Sequence, residues 1–271
     1  ASASNNTAVG AESMEVTTSG TQDVFVGMYS GTSLTSAINC TGVGYAALDE
    51  VTTGSENTSL GSASGGAVTT GTSNTFVGYL SGTYAVGNTT GAGNVILGAY
   101  SRGSTAGASY ANAIGYDING AAGYTTLGQS GSDIRAAHGN VTWSTVSDER
   151  VKKDITDAEA GLSFINDLRP VTFKYKTKGD LPKEFDSYEE GSTETYKNEF
   201  TNHGFIAQEV KEAIDNHPEL KDGFKMWDVR EHSGQQEVGE AAVIPVLVKA
   251  VQELSTQVDE LKAEIQTLKG E

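Results

Sequence analysis

A five-residue pattern recurs at a fixed interval through the first half of the chain, and it restricts the folds open to that half. The pattern reads Asn or Asp, Thr or Val, any residue, an aliphatic residue, and Gly. Its closing glycines lie 17 residues apart in two runs: Gly10, Gly27, Gly44, Gly61 and Gly78, then Gly98 and Gly115. A fixed period indicates a solenoid, in which each repeat stacks on the preceding one.

A second element recurs between these pentapeptides. It reads Val-Thr-Thr and occurs at residues 16–18, 51–53 and 68–70. Two short strands and two turns rich in Gly and Asn would fill one period, so we predict that each repeat is one coil of a β-roll.

The composition changes near residue 146. The preceding half contains no lysine, no proline and only two arginines, Arg102 and Arg135, whereas all four prolines lie after Ser147. We therefore predict three regions: a β-roll over residues 1–146, a small α+β domain over residues 147–243, and a coiled-coil helix over residues 244–271.

The β-roll is predicted to be part of an oligomer. Each coil offers only two or three apolar side chains, most of them small. At roughly 25 cal/mol per Å² of buried apolar surface, so thin a core barely offsets the loss of chain entropy. Three rolls that share their apolar faces around one axis would solve this problem.

The predicted α+β domain alternates helical and strand-like segments. Thr156 and Glu159 have capping-box spacing before an apolar helical face that ends at Pro170. Alternation predicts a strand over residues 171–175. Further predicted elements are a strand at 204–207, a helix at 208–215 and a strand at 226–229.

The last 28 residues carry a heptad pattern. Apolar residues alternate at spacings of three and four: Ile244, Leu247, Val251, Leu254, Val258, Leu261, Ile265 and Leu268. This spacing predicts a coiled coil. The a and d residues are of mixed type, so the choice of a homotrimer over a dimer follows from the trimer expected of the repeats upstream.

Three motifs follow residue 146 in a fixed order. They are Ser147-Asp148-x-Arg150-Val151-Lys152-x-Asp154-Ile155, then Leu168-Arg169-Pro170-Val171-x-Phe173, then Gly204-Phe205-Ile206-Ala207-Gln208-Glu209-Val210. Together with the final heptads, they resemble the intramolecular chaperone, or autopeptidase, domain at the C-terminus of endosialidases and other phage tailspikes. The repeats upstream resemble those of trimeric phage fibres and of the β-roll heads of trimeric bacterial adhesins.

The resemblance implies a function and a site. Three chaperone domains would trimerise, guide the folding of the β-structure upstream, and then cut themselves off between Val146 and Ser147. Ser147 is expected to be the nucleophile of a single-turnover serine endopeptidase and Lys152 its base. A hydroxyl needs such a base, and an amine serves as one only in its neutral form.

Several alternatives stay open around this site. Lys153 is the rival base, Asp148 could cap the following turn, and Arg150 could supply a neighbouring positive charge. His203 could approach as an acid or orienting group, or be a structural histidine. A Ser-Asp pair that opens a charged stretch is often only a helix N-cap.

The alternative function is a trimeric surface adhesin or fibre that is not cleaved, with residues 147–271 as a permanent trimerisation cap. A glycan hydrolase has little support, since no pair of carboxylates recurs in the repeats. The expected location is the virion, after assembly in the host cytoplasm, with a host cell-surface receptor or glycan as the partner.

Charge and composition argue against other classes of function. With 18 Lys and Arg against 35 Asp and Glu, the net charge is −17, which disfavours binding to nucleic acid or anionic membrane. No apolar run is long enough for membrane insertion. The single cysteine, Cys40, and the histidines lack metal-ligand spacing, so we expect neither a metal nor another cofactor.

Overall fold

The computed structural model describes residues 2–270, which form two compact units divided between Lys153 and Asp154. The division falls a few residues downstream of the composition change at residue 146. The first unit contains the repeats and the second contains most of the charge and all four prolines.

The first unit is a β-solenoid. Its strands are β1 (Thr7–Val9), β2 (Val24–Val26), β3 (Thr41–Val43), β4 (Thr58–Leu60), β5 (Thr75–Val77), β6 (Val95–Leu97), β7 (Arg102–Gly103), β8 (Asn112–Tyr116), β9 (Asn119–Gly120), β10 (Tyr124–Gln129) and β11 (Ser132–Ala137). A nine-stranded sheet has the order β1-β2-β3-β4-β5-β6-β8-β10-β11, and β7 pairs separately with β9. Neighbours in the large sheet are parallel until β11, which folds back antiparallel on β10. The solenoid prediction is confirmed.

The interior of the solenoid is a narrow apolar column. From β2 to β6 the middle residue of each repeat strand is buried, and the largest of these side chains, Phe25, Phe76 and Ile96, are fully buried. Leu34, Leu48, Val51 and Val68 pack with them from the opposite side of the coil. The flanking strand residues face outward, which follows from the two-residue alternation of a strand.

The Val-Thr-Thr segments do not form the predicted second strand, whereas a short second ladder occurs further along the solenoid as β7–β9. These segments follow a tight turn, in which the Val68 N–H donates to the Gly65 carbonyl at 3.0 Å. Coil-to-coil bonds still form there: both the backbone N–H and the hydroxyl of Thr35 donate to the Thr52 carbonyl, and those of Thr52 donate to the Thr69 carbonyl.

The glycine that closes each repeat is required by its surroundings. Gly27 has φ +140°, a region that L side chains rarely adopt, and a Cβ atom there would overlap the Gly44 carbonyl of the next coil. The same geometry recurs at Gly44 against Gly61. The coils can therefore stack only where this position has no side chain.

The second unit is a small α+β fold. Its elements are α1 (Leu162–Asp167), β12 (Val171–Phe173), β13 (Asn202–Gly204), α2 (Ala207–Asn216), β14 (Trp227–Val229), β15 (Gln236–Val238) and α3 (Ile244–Lys269). Two antiparallel ribbons form, β12–β13 and β14–β15. The core lies between the helices and the second ribbon and contains Phe164, Val210, Ile214, Met226 and Val246.

Three predicted boundaries in this unit are corrected. The capping box at Thr156 and Glu159 does not start a helix. Instead, α1 begins at Leu162, whose N–H donates to the Glu253 carboxylate of α3 at 2.8 Å, so a distant side chain provides the cap. The strand predicted at 204–207 ends at Gly204, because the chain turns there into α2. The strand predicted at 226–229 begins at Trp227, and Met226 before it is buried in the core, its carbonyl accepting from the Gly239 N–H.

The terminal helix α3 has two apolar faces. Val246 and Ala250 are buried, and the helix packs on α1. The heptad residues from Ile244 to Leu268 lie on the other face and are exposed throughout. The helix is confirmed, whereas the coiled coil and the trimer stay predictions. Within residues 2–270, no helix has the length and apolar character needed to cross a membrane.

Candidate functional site

The segment before the predicted cleavage point is anchored to the solenoid. Ser144 forms an antiparallel bridge with Arg135 of β11, with N–H to carbonyl distances of 2.8 and 2.9 Å. The Thr145 hydroxyl donates to the Asp133 carbonyl at 3.3 Å. Val146 follows directly and is 60% exposed. The bond between Val146 and Ser147 therefore comes directly after the residues that are anchored to β11, Ser144 and Thr145.

A short helical turn brings the two predicted catalytic side chains together. Residues Glu149–Val151 form a 3₁₀ turn between Ser147 and Lys152. The Lys152 Nζ donates a hydrogen bond to the Ser147 Oγ at 2.8 Å. The five-residue separation in sequence becomes direct contact because the intervening turn shortens the path.

Asp148 and Arg150 hold this turn in shape. The Asp148 Oδ1 accepts from the Arg150 backbone N–H at 2.9 Å, which makes Asp148 the N-cap of the turn. The Arg150 guanidinium bonds both carboxylate oxygens, with Nε at 2.9 Å from Oδ1 and Nη2 at 2.6 Å from Oδ2. These hydrogen bonds from Arg150 hold the pKa of Asp148 below its usual range. The capping role foreseen for Asp148 is present, and Arg150 is engaged by its carboxylate.

A hydroxyl in contact with an amine is a minimal arrangement for nucleophilic catalysis. The amine in its neutral form can take the proton of the hydroxyl, and the oxygen can then add to a nearby carbonyl carbon. Both Ser147 and Lys152 are exposed, as are all described residues from 138 to 159. Ser147 and Lys152 lie on an open turn, whereas Val146 borders a cavity of about 180 Å³ beside Asp133 and Arg135.

His203 belongs to the second unit. It lies on β13, where it pairs with Thr172 of β12. Its side chain borders an open depression of about 460 Å³, which Pro170, Val171 and Glu240 also line. His203 therefore lies in a two-stranded ribbon of the second unit, and its role as an acid or orienting group stays a prediction.

The second and third sequence motifs are joined by direct contacts. The Arg169 guanidinium forms a bidentate ion pair with the Glu209 carboxylate, whose first bond runs from Nε to Oε2 at 3.0 Å. Val171 pairs with Gly204 across the β12–β13 ribbon. Glu209 thus bridges the second and third motifs.

Sequence reasoning did not foresee the anchor on β11. The signal available was the alternation through Ser132–Ala137 after the Gly131 turn, which is typical of a hairpin strand. Pairing of Ser144 with that strand involves a single isolated bridge, and no repeated pattern marks it in the sequence.

The cysteine and the histidine of the solenoid belong to residue types that bind metal ions. Among residues 2–270, no group of three or more His, Cys, Asp or Glu could hold a metal ion. Cys40 is fully buried in the solenoid, and burial raises the pKa of its thiol to about 11. His138 lies at the surface beside Asn112 and Thr125.

Comparison with known proteins bears on the second half of the chain. No curated protein and no solved structure matches the chain. Residues 147–218 match the family model Peptidase_S74, described as the chaperone of endosialidase. The match begins at Ser147, the residue that contacts Lys152, and includes the Arg169–Glu209 ion pair and the β12–β13 ribbon. Downstream of its β-solenoid, the chain therefore carries a domain of the endosialidase chaperone family.

Proposed function

We propose that this chain is a segment of a phage tail fibre or tailspike whose chaperone domain drives trimeric assembly and then cuts the chain between Val146 and Ser147. The observation that carries the proposal is the 2.8 Å contact between Lys152 and Ser147 at the first residue of the family match. The contact supports Lys152 as the base.

The proposed reaction proceeds in two steps. First, the Ser147 Oγ adds to the Val146 carbonyl carbon as its proton passes to the neutral Lys152 amine. The C–N bond breaks when that proton reaches the departing Ser147 nitrogen, which leaves an ester between Val146 and the Ser147 oxygen. Water then hydrolyses the ester, giving a Val146 carboxylate and a Ser147 with a free hydroxyl and α-amine. One turnover per chain is enough, so a modest rate acceleration suffices.

The anchors on either side of the bond favour this position for the cut. Ser144 and Thr145 are bonded to β11, so the new C-terminus would remain attached to the solenoid. On the other side of the bond, the Asp148 cap and the 3₁₀ turn set the backbone conformation of the segment that follows Ser147. Cleavage therefore separates two segments that are each ordered by their own contacts.

Two exposed apolar surfaces support a homotrimer. The heptad face of α3 is exposed along its whole length. The outer face of the solenoid sheet carries exposed aliphatic side chains at matching positions of successive coils, among them Val9, Val26, Leu60 and Ile114. Parallel sheets are normally covered on both faces. Three copies of the chain would cover both surfaces.

Cleavage would serve maturation. Once three solenoids have assembled, loss of the chaperone removes the path back to the unfolded state, and the fibre becomes kinetically stable. The assembled fibre would act in the virion by binding a host cell-surface receptor. The acidic charge of −17 argues against nucleic acid as its partner.

The test is intact mass spectrometry of freshly expressed protein beside three variants. We expect fragments 1–146 and 147–271 in the unmodified chain and in the matched control Lys153→Ala. Ser147→Ala and Lys152→Ala should stay full length, with folding checked by circular dichroism. Cleavage that persists in Lys152→Ala but stops in Lys153→Ala would assign the base to Lys153 instead.

A permanent trimerisation cap is the second candidate, and the exposure of both Ser147 and Lys152 favours it, since water competes for the exposed amine and hydroxyl. This candidate predicts a stable trimer of full-length chains. A chain that remains intact after days at 37 °C, while sedimenting as a trimer, would establish it in place of the autopeptidase.

A further inference from the structure

One coil of the solenoid is longer than its neighbours. Thr58 pairs with Thr75 across 17 residues, whereas Thr75 pairs with Val95 across 20. The extra length enters after Thr83, because Gly66 still bonds Thr83 at the regular interval while Thr69 bonds Thr89 at the longer one. Insertions in repeat proteins form loops on one face, which is often the binding face.

The inserted loop adds an aromatic ring to a cluster of tyrosines. Tyr100 is the centre of this cluster, with ring centroids at 5.1 Å from Tyr84 of the loop, 5.4 Å from Tyr79 and 5.6 Å from Tyr116. Tyr79, Tyr84 and Tyr116 are 49%, 43% and 52% exposed. All contacts are edge-to-face, the geometry that aromatic pairs prefer over a face-to-face sandwich.

A fixed arginine completes the cluster. The Arg102 guanidinium lies over the Tyr84 ring at 5.3 Å from its centroid and donates from Nη1 to the Tyr100 carbonyl at 3.0 Å. The same Nη1 pairs with the Asp117 carboxylate at 2.6 Å, and this bond holds the pKa of Asp117 below its usual range. The side chain is therefore held in place and its charge is neutralised. We name Tyr79, Tyr84, Tyr100, Tyr116 and Arg102 the tyrosine patch.

We propose that the tyrosine patch binds an uncharged oligosaccharide, which gives the proposed receptor-binding role of the fibre a location and a ligand class. Exposed aromatic rings can stack on the C–H faces of sugar rings, and the tyrosine hydroxyls can bond sugar hydroxyls. Aromatic side chains with a few fixed polar groups are typical of ligand sites. An acidic glycan is disfavoured, because Asp117 already compensates Arg102 and the repeat half contains only one other arginine.

The experiment measures binding of the assembled protein to a printed array of uncharged and acidic oligosaccharides. The principal variant is Tyr100→Asn and its matched control is Tyr110→Asn. Both tyrosines have left-handed backbone conformations, φ +61° and +56°, which Asn tolerates well, and Tyr110 is an exposed ring outside the patch. We expect binding to uncharged oligosaccharides that falls at least tenfold in Tyr100→Asn and is unchanged in Tyr110→Asn.

A second variant tests whether a loss of binding comes from the missing ring rather than from disrupted stacking of the coils. Tyr84→Ser removes a ring from the inserted loop, where no strand is interrupted, and should also weaken binding severalfold. Binding that is equal in all variants, absent from every uncharged oligosaccharide, or strongest for acidic ones would overturn the proposal. Dissociation of the trimer by Tyr100→Asn would also overturn it, since the patch would then be a contact between copies.

The same samples separate this inference from the proposed self-cleavage. A full-length band on a denaturing gel, together with patch-dependent sugar binding, would remove the autopeptidase and leave the sugar site in place. Normal cleavage without sugar binding would leave the autopeptidase in place and remove the sugar site.

Discussion

Inside the solenoid, one column of side chains consists of amides that bond from coil to coil. The Asn57 Nδ2 donates to the Gly54 and Gly71 carbonyls at 3.0 and 2.8 Å, and its Oδ1 accepts from the Asn74 N–H at 3.0 Å. Asn94 continues the column with the same bonds to Asn74. Each amide satisfies the backbone groups of two coils, so the column replaces water in a dry interior.

Asp23 occupies the same column as a carboxylate. Its Oδ1 accepts from the Cys40 N–H at 2.8 Å, but its Oδ2 is buried and has no hydrogen-bond partner within the described part of the chain. By register, this oxygen takes the place of the Asn57 amide nitrogen, which donates to carbonyls. Burial raises the pKa of Asp23, although its bond to Cys40 opposes the shift.

We predict that Asp23→Asn stabilises the solenoid at neutral pH. The amide nitrogen of Asn would donate a hydrogen bond where the buried carboxylate oxygen cannot. We expect the free energy of unfolding to rise by an amount on the order of 1–3 kcal/mol, the cost of a buried unsatisfied polar group. Because the folded-state pKa of Asp23 is raised, its contribution to stability is complete below the unfolded value near 3.8 and is lost as pH rises through the folded value. Thermal unfolding at pH 4 and pH 7 should show a gain for the variant that is larger at pH 7. An equal gain at both pH values would contradict this account.

The sequence was informative about the site at the residue scale. The resemblance of the three motifs to the endosialidase-type chaperone domain pointed to Ser147 and Lys152, and these two side chains lie in contact. The sequence could not reveal the anchor of Ser144 on Arg135 or the cap that Glu253 gives to Leu162, because each joins residues without a local pattern.

At the scale of elements, His217 fastens helix α1 to the turn after α2. Its Nε2 lies 2.9 Å from the Asp167 carboxylate at the end of α1, and its Nδ1 lies 3.0 Å from the Glu219 carboxylate. Only the imidazolium can donate to both, since a neutral imidazole has one N–H. Desolvation lowers the pKa of His217, but the two carboxylates outweigh it and the net shift is upward.

We predict that this fastening weakens as pH rises. With a raised folded pKa, the contribution of His217 is complete below its unfolded value of 6.5 and is lost as pH rises through the folded value. Hydrogen exchange of α1, corrected for the intrinsic rate, should be faster at pH 8.5 than at pH 6. The difference should shrink in His217→Gln. If the variant keeps the full pH dependence, another group is responsible.

Helix α3 should hold three chains together through its exposed face. We predict that Leu254→Lys with Leu261→Lys abolishes the trimer, since each leucine kept from water contributes roughly 1.5–3 kcal/mol. Gln257→Lys with Gln266→Lys adds the same charge off the heptad positions and should leave the trimer intact. Sedimentation equilibrium distinguishes the two. A trimer that survives the leucine changes would show that α3 is not the assembly element.

The sequence predicted the types of secondary-structure element better than it predicted their first and last residues. The glycine period and the heptads repeat many times, so a solenoid and a long helix could be predicted. A strand at the Val-Thr-Thr segments could not be excluded, because these residues have strand propensity and their backbone N–H groups do bond the next coil, although too few in a row to form a strand. Residues 204–207 were similarly apolar, but their strand ends where α2 begins.

At the scale of the whole molecule, we expect assembly of the trimer to control the rate of self-cleavage. An exposed dyad in the single chain is expected to act slowly, and packing of neighbouring copies would exclude water from it. We predict that cleavage accelerates with protein concentration in the range where trimers form, and that Leu254→Lys with Leu261→Lys slows it at least tenfold. A rate independent of concentration and of these leucines would show that the dyad acts within one chain.

The most direct test of the central claim is N-terminal sequencing of the C-terminal fragment from freshly assembled protein. We predict a single new terminus that reads Ser147-Asp148-Glu149, from a fragment that is absent in Ser147→Ala. A terminus at any other residue, or an assembled chain that remains uncut, would contradict the claim that this chaperone domain severs itself at Ser147.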